Sequence, residues 1–214
     1  QLTKDGIENF SYYNEGNLSG NGDTNTDKEK NRNKRKPVGI LWSPDSKHFA
    51  VDFTDNRKVK DLWVINSIAE PRPTLETYKY WMPGEKEAPV EHLMVFDWVT
   101  KTGKEIVTGM YKDQTVNAWS RPLKANTRDD EYRPAIWLGT NDKFYFSRTS
   151  RDLKRIDIGV VDVASGTAKA LIQEKLNTYV EIRRLGLVND GKELIQWSED
   201  DGWGHFYLYD ENGR

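Results

Sequence analysis

The residues able to do chemistry fall in only a few places. Three carboxylates follow a serine in Ser198-Glu199-Asp200-Asp201, and a histidine stands nearby in Gly202-Trp203-Gly204-His205. Paired carboxylates can act as general acid and base, but such a run is more often a solvated turn between strands. The three histidines, His48, His92 and His205, occur singly in or beside apolar runs. None has the spacing of a metal-binding pair, and His205 reads as a packing or hydrogen-bonding residue. Without cysteine the chain has no disulfide, thiol nucleophile or Cys-ligated metal. Neither a Gly-x-Ser-x-Gly elbow nor a phosphate-binding glycine loop occurs. Asp23, Asn25 and Asp27 imitate the start of an EF-hand, but Lys28 replaces the turn glycine and Lys34 the bidentate glutamate. No catalytic residue, metal site or cofactor is therefore assigned. One pair remains with binding chemistry, Arg183-Arg184 in a linker between strand-rich segments. Guanidinium groups hold carboxylates or carbonyls, so the pair is either a plain surface pair or, in a propeller, one facing the central channel.

The elements that must position these groups form a repeat. Three stretches share an apolar run, a turn rich in Asp, Asn, Ser or Gly, a Lys and a second apolar run. They are Ile40–Val51 around Ser43-Pro44-Asp45-Ser46-Lys47, Ile136–Phe146 around Asn141-Asp142-Lys143, and Leu187–Ile195 around Asn189-Asp190-Gly191-Lys192. Such turn residues preset or tolerate the backbone angles required, so each stretch reads as strand, turn, strand. Downstream of each lies a further strand ending in Asp: Leu93–Asp97, Gly159–Asp162 and Tyr207–Asp210. A turn with a glycine follows each (Gly103, Gly166, Gly213). Asp142 to Asp162 and Asp190 to Asp210 are both 20 residues, whereas Asp45 to Asp97 is 52, which is 20 plus an insertion of 32. A period of roughly 40–50 residues with four strands per unit is the signature of propeller blades.

The expected fold is all-β: a partial β-propeller of about three four-stranded antiparallel blades with an inserted β-ribbon arm. Residues 1–36 hold the end of a preceding blade, with Gln1–Gly6 as its last strand, and then a polar, irregular loop. Residues 37–108 form a blade interrupted by the arm at about 59–88, residues 109–173 a second blade, and residues 174–214 an incomplete third. Within the second, 109–131 reads as loop anchored by Trp119. The chain thus starts on a fourth strand and stops on a third, as an excised piece would. The arm has strand-like pieces, Asp61–Ile65 and Leu75–Trp81, with corners at Pro71, Pro73 and Pro83-Gly84. A lone two-stranded ribbon is marginal in water, so it either docks on a partner or folds back on its own blade.

Bulk properties exclude several classes. The formal charge is −2 with 32 basic and 34 acidic residues, so no global field points to nucleic acid or anionic lipid. The basic run from Lys28 to Lys36 carries Glu29 and no aromatic for base stacking, which favours a solvated loop over a nucleic-acid site. No run approaches the ~18 apolar residues of a membrane helix, and the start at Gln1, not an initiator Met, reads as that of an excised piece without a signal peptide. Asn9-Phe10-Ser11 and Asn17-Leu18-Ser19 are glycosylation sequons of a kind frequent by chance.

Four stretches resemble the propeller of the dipeptidyl peptidase IV-like branch of the prolyl oligopeptidase family of serine peptidases. They are Trp42–Lys47, Tyr78-Lys79-Tyr80-Trp81-Met82-Pro83-Gly84, Phe146–Asp152, and Trp197–Asp210 with its Asp-Gly-Trp-Gly-His strand. The similarity covers nearly all of residues 37–214. The resemblance implies an eight-bladed propeller capping a C-terminal α/β-hydrolase domain that carries the Ser, Asp and His and admits small peptides. It implies that the 59–84 arm serves homodimer contacts and favours a periplasmic or other extracytoplasmic location. Tyr179–Arg184 is similar to a loop that brings an arginine near the substrate, so Arg184, with Arg183, is the substrate-binding candidate. Relatives hold the substrate amino terminus with a Glu-Glu pair on a short helix before the first strand pair. Here only Glu15 stands in that region, which puts strict dipeptidyl specificity of the parent in doubt. The competing reading is a propeller interaction module without peptidase activity. A self-contained β-sandwich is disfavoured by the 20-residue repeat.

Overall fold

The computed structural model describes residues 1–12, 24–34, 38–109, 111, 113–121, 136–181 and 185–214. Among these residues one short α-helix, α1 (Asn25–Asn31), precedes fifteen strands. In chain order these are β1 (Leu41–Trp42), β2 (His48–Asp55), β3 (Asp61–Asn66), β4 (Thr74–Lys79), β5 (Val90–Asp97), β6 (Thr102–Ile106), β7 (Thr115–Ala118) and β8 (Ser120–Arg121). There follow β9 (Ile136–Trp137), β10 (Lys143–Thr149), β11 (Arg155–Asp162), β12 (Thr167–Lys175), β13 (Gly186–Val188), β14 (Glu193–Ser198) and β15 (His205–Asp210). The fold is all-β, a partial propeller.

Its sheets run β6-β5-β2-β1-β9-β8, β12-β11-β10-β7 and β13-β14-β15, with β3-β4 as a separate ribbon. The first contains the blade order β1-β2-β5-β6, the second is a four-stranded blade, and the third has three strands. Neighbouring strands pair antiparallel in the second and third sheets. Within the first, β1 and β9 run parallel, with Trp42 opposite Ile136.

By contacts the chain divides into two compact units. One holds residues 3–39 and 53–91, the other residues 40–52 and 92–214. In the first, Ile7 and Phe10 close a tight turn through Asn9 at φ 62°, and Phe10 pairs with Asp55. The Phe10 ring meets Phe53 edge-on at 5.1 Å. Residues 1–6 carry no strand pairing, and the first bridge starts at Ile7. The supposedly irregular 14–36 segment contains α1. Thr24 caps it, its Oγ1 accepting from the Asp27 amide at 3.1 Å.

In the larger unit the cores lie between the sheets. β10 is buried on both faces. Phe144 and Phe146 join Ala50, Leu93, Ile106, Trp137 and Val161, while Tyr145 on the other face joins Trp119, Ile158, Ile172, Leu185 and Leu194. Period-two alternation thus sends neighbouring aromatics into two different cores. Gly103 and Gly159 lie opposite Phe96 and Phe146 across their strand pairs. A Cβ on either would strike that ring, so the flat aromatic covers bare backbone.

The second sheet corrects the expected strand order. Residues 109–131 were read as loop, yet β7 and β8 form there, and β7 supplies the strand beside β10. The Ile136 run pairs with β8 and β1 and reaches β10's start only through the Gly139–Phe144 bridge. Trp119 anchors its segment as expected: it is buried, and its Nε1 donates to Ser147 Oγ at 3.1 Å.

Candidate functional site

Arg183, Arg184 and Glu15 lie outside the described residues. The histidines are described, and each stands beside a carboxylate at a separate place. His48 Nε2 is 3.7 Å from Asp97 Oδ2, His92 Nδ1 is 2.7 Å from Glu105 Oε1, and His205 Nε2 is 3.6 Å from Asp201 Oδ2. Ser198 and Asp201 brace the turn that carries the carboxylate run. Ser198 Oγ accepts from the Asp200 amide at 3.1 Å, and Asp201 Oδ1 from the Trp203 amide at 3.1 Å. The Glu199 amide donates to Glu174 Oε1 at 3.4 Å. Among the described residues no group of three or more His, Cys, Asp or Glu is arranged to hold a metal ion. No helix there is long and apolar enough to cross a membrane.

The recurring aspartates are turn builders. Asp97 Oδ1 accepts from the Val99 and Thr100 amides, Asp162 Oδ1 from Ser165 N and Oγ, and Asp210 Oδ1 from the Asn212 and Arg214 amides. These bonds hold all three carboxyls below the usual aspartate range. A second device is repeated too. Ser43 Oγ donates to Asp45 and Ser150 Oγ to Asp152. The Lys two residues after each Asp donates its amide to that carboxylate. Ser46 and Leu153, between Asp and Lys, take φ values of 59° and 56°. The Ser-x-Asp-x-Lys spacing is the sequence signal for both turns, Ser43–Lys47 and Ser150–Lys154.

Two arrangements have the character of a site. The arm is the first. β3 and β4 pair from Asp61–Lys79 to Asn66–Thr74, as the sequence suggested. One ribbon face presents Trp63, Ile65 and Leu75, which are 63%, 65% and 54% exposed. The opposite face carries Glu76, buried against α1. Its carboxylate accepts from Thr26 Oγ1 at 2.6 Å and Thr74 Oγ1 at 2.8 Å. Glu76 is thus covered by α1, while Trp63, Ile65 and Leu75 on the other face stay exposed.

The second is a buried polar network that sequence reasoning missed. Arg148 donates through Nε to Asp157 Oδ2 at 2.8 Å and through Nη1 to the Thr108 carbonyl at 2.9 Å. Tyr111 donates its hydroxyl to the other oxygen of Asp157. Burial and this bond push the Tyr111 phenol up to about 12. The signal was the even-numbered alternation Phe144, Phe146, Arg148, which puts a charge on a core face.

A family model for the dipeptidyl peptidase IV N-terminal region matches residues 35–214. The chain belongs to this family. No curated protein matches it. Among solved structures, it is similar to dipeptidyl peptidase 4 from Porphyromonas gingivalis, with TM-score 0.64 and 22% identity over 82% of this chain. It is also similar to a putative dipeptidyl aminopeptidase IV from Bacteroides ovatus, with TM-score 0.62 and 18% identity over 83%. The chain spans 23% of the length of each of these structures. Both likenesses show the fold.

α1 lies just ahead of the matched residues 35–214 and before the first strand pair. It carries Asp27 and Glu29 rather than a Glu-Glu pair. Asp27 Oδ2 accepts from the hydroxyl of Thr24 at 3.0 Å, and Glu29 Oε1 stands 3.8 Å from Arg32 Nη1.

Proposed function

We propose that the chain is a non-catalytic propeller segment of a dipeptidyl peptidase IV-like serine peptidase. In this reading it caps the parent's α/β-hydrolase domain and gates or binds peptide substrates. The family match over residues 35–214 carries the reading. The bond-breaking groups belong to the hydrolase domain, and the propeller contributes selection. Arg183 and Arg184 are proposed to hold a substrate carboxylate or carbonyl, where paired donors give orientation as well as attraction. The exposed Trp63, Ile65 and Leu75 face is proposed as a homodimer contact, since apolar ribbon faces gain most from being covered.

The test is hydrolysis of a Gly-Pro chromogenic amide and an N-blocked Ala-Pro amide by the full-length parent and by this chain. Activity in the parent and none in the chain supports the reading. Cleavage of the free-amine substrate alone means that a carboxylate other than a Glu-Glu pair holds the substrate ammonium. A parent that cleaves neither moves the assignment to an interaction propeller.

A further inference from the structure

Among the described residues β3 and β4 form a sheet of two strands, so there each has an outer edge with no strand partner. An open edge presents backbone donors and acceptors that recruit another strand. On β4 the outward groups include the Leu75 carbonyl and the Thr77 amide, and both are taken by one side chain. Asn25, the first residue of α1, donates its Nδ2 to Leu75 O at 3.0 Å and accepts from Thr77 N at 2.7 Å through Oδ1. These two groups flank Glu76, as the groups bonded by one residue of an added parallel strand would. The neighbouring residue continues the contact, because Thr26 bonds Glu76 through Oγ1 at 2.6 Å and through its amide at 3.4 Å. Further along α1, Lys28 Nζ reaches Glu8 at 2.8 Å beside the Ile7–Phe10 turn. None of the α1 residues is buried. The helix is thus held by polar contacts, with no apolar core of its own.

We propose that α1 is an edge seal: its Asn25 and Thr26 side chains occupy the β4 edge in place of a strand and keep the arm from adding a strand of a second copy. Self-pairing about Thr77 would set Leu75 opposite Lys79 and Glu76 opposite Tyr78, with no like charges facing. The open edge is therefore self-complementary, which is the hazard such a seal removes. The seal concerns the ribbon's edge and is independent of the peptidase reading and of the apolar face of the arm.

The experiment compares the whole chain with Asn25→Ala/Thr26→Val. Amide exchange at Thr77 and the molecular mass across a concentration series are the readouts. Losing the Asn25 bond is expected to speed Thr77 exchange about three- to tenfold and to add an associated species at high concentration. Adding Thr77→Pro removes the edge donor and should abolish that species, since proline is tolerated on an outward edge position. Asn25→Asp keeps the acceptor for Thr77 and loses the donor to Leu75, so its exchange should fall between the two. Unchanged Thr77 exchange, a double variant that stays in the wild-type state at all concentrations, or association that survives Thr77→Pro would each overturn the proposal.

Discussion

Arg148 and Asp157 stand directly opposite each other on β10 and β11, with Nη2 2.7 Å from Oδ2 and side chains only 10% and 2% exposed. Desolvating such a pair is costly, and it is retained because every partner is in place. Replacing Arg148 by Met strands the Asp157 carboxylate. Urea denaturation should show a loss of about 3–5 kcal/mol for Arg148→Met. The double replacement Arg148→Met/Asp157→Leu should recover much of that loss, because no charge is then left buried.

Tyr111 gives the same network a response to alkali. Its phenol, pushed up to about 12 from 10.0 by burial and the Asp157 bond, keeps its proton in the fold after the unfolded chain has lost it. Its contribution to stability is complete below the ordinary tyrosine value and is lost as pH rises towards about 12. Stability of the wild type should therefore fall more steeply than that of Tyr111→Phe across that window. Equal slopes in urea titrations would show that Tyr111 does not hold its proton.

The turn aspartates respond at the other end of the scale. Asp97, Asp162 and Asp210 are held low by hydrogen bonds. Their contribution is present above the unfolded aspartate value and disappears as pH falls through the lower folded value. Carboxyl NMR titration should place Asp162 below 3.8, and Ser165→Ala, which removes the first of its causes, should move it back up.

Two tryptophans should behave oppositely. Trp137 has no exposed surface and sits in the first core, so Trp137→Ala should cost about 3–5 kcal/mol in thermal or urea unfolding. Trp63 is 63% exposed on the arm, so Trp63→Ala should change stability by less than about 0.5 kcal/mol. On the proposed dimer contact, Trp63→Ala should lower the parent's mass in sedimentation.

The strands of the repeat were legible because alternation and turn chemistry agree locally: Asp142 to Asp162 spans the single hairpin of β10 and β11. The ribbon was legible for the same reason. α1 was not, since seven residues without a buried face leave no apolar period to read, and its stability lies in contacts with Thr77 and Glu76, distant in sequence. The place of β7 was also hidden, because four residues of mixed polarity become a strand only through pairing with β10. In the candidate site, the carboxylate beside each histidine was hidden for His48 and His92, whose partners Asp97 and Glu105 come from other strands. The buried pairing of Arg148 with Asp157 was hidden, as cross-strand register is not written in either strand alone.

The parallel contact between Trp42 and Ile136 also bears on how the chain is made. β1 is only two residues long, and Asn141 accepts from the Asp45 amide at 3.0 Å. During synthesis, the inner border of the first blade must therefore wait for a segment translated long after it, with the whole arm in between. Closing so long a loop carries an entropic cost before any contact offsets it, which slows folding and prolongs exposure of the waiting strand. A ribosome-bound chain stopped short of Ile136 would hold all four strands of that blade with the β1 edge still open, the state in which a holding chaperone has most to protect.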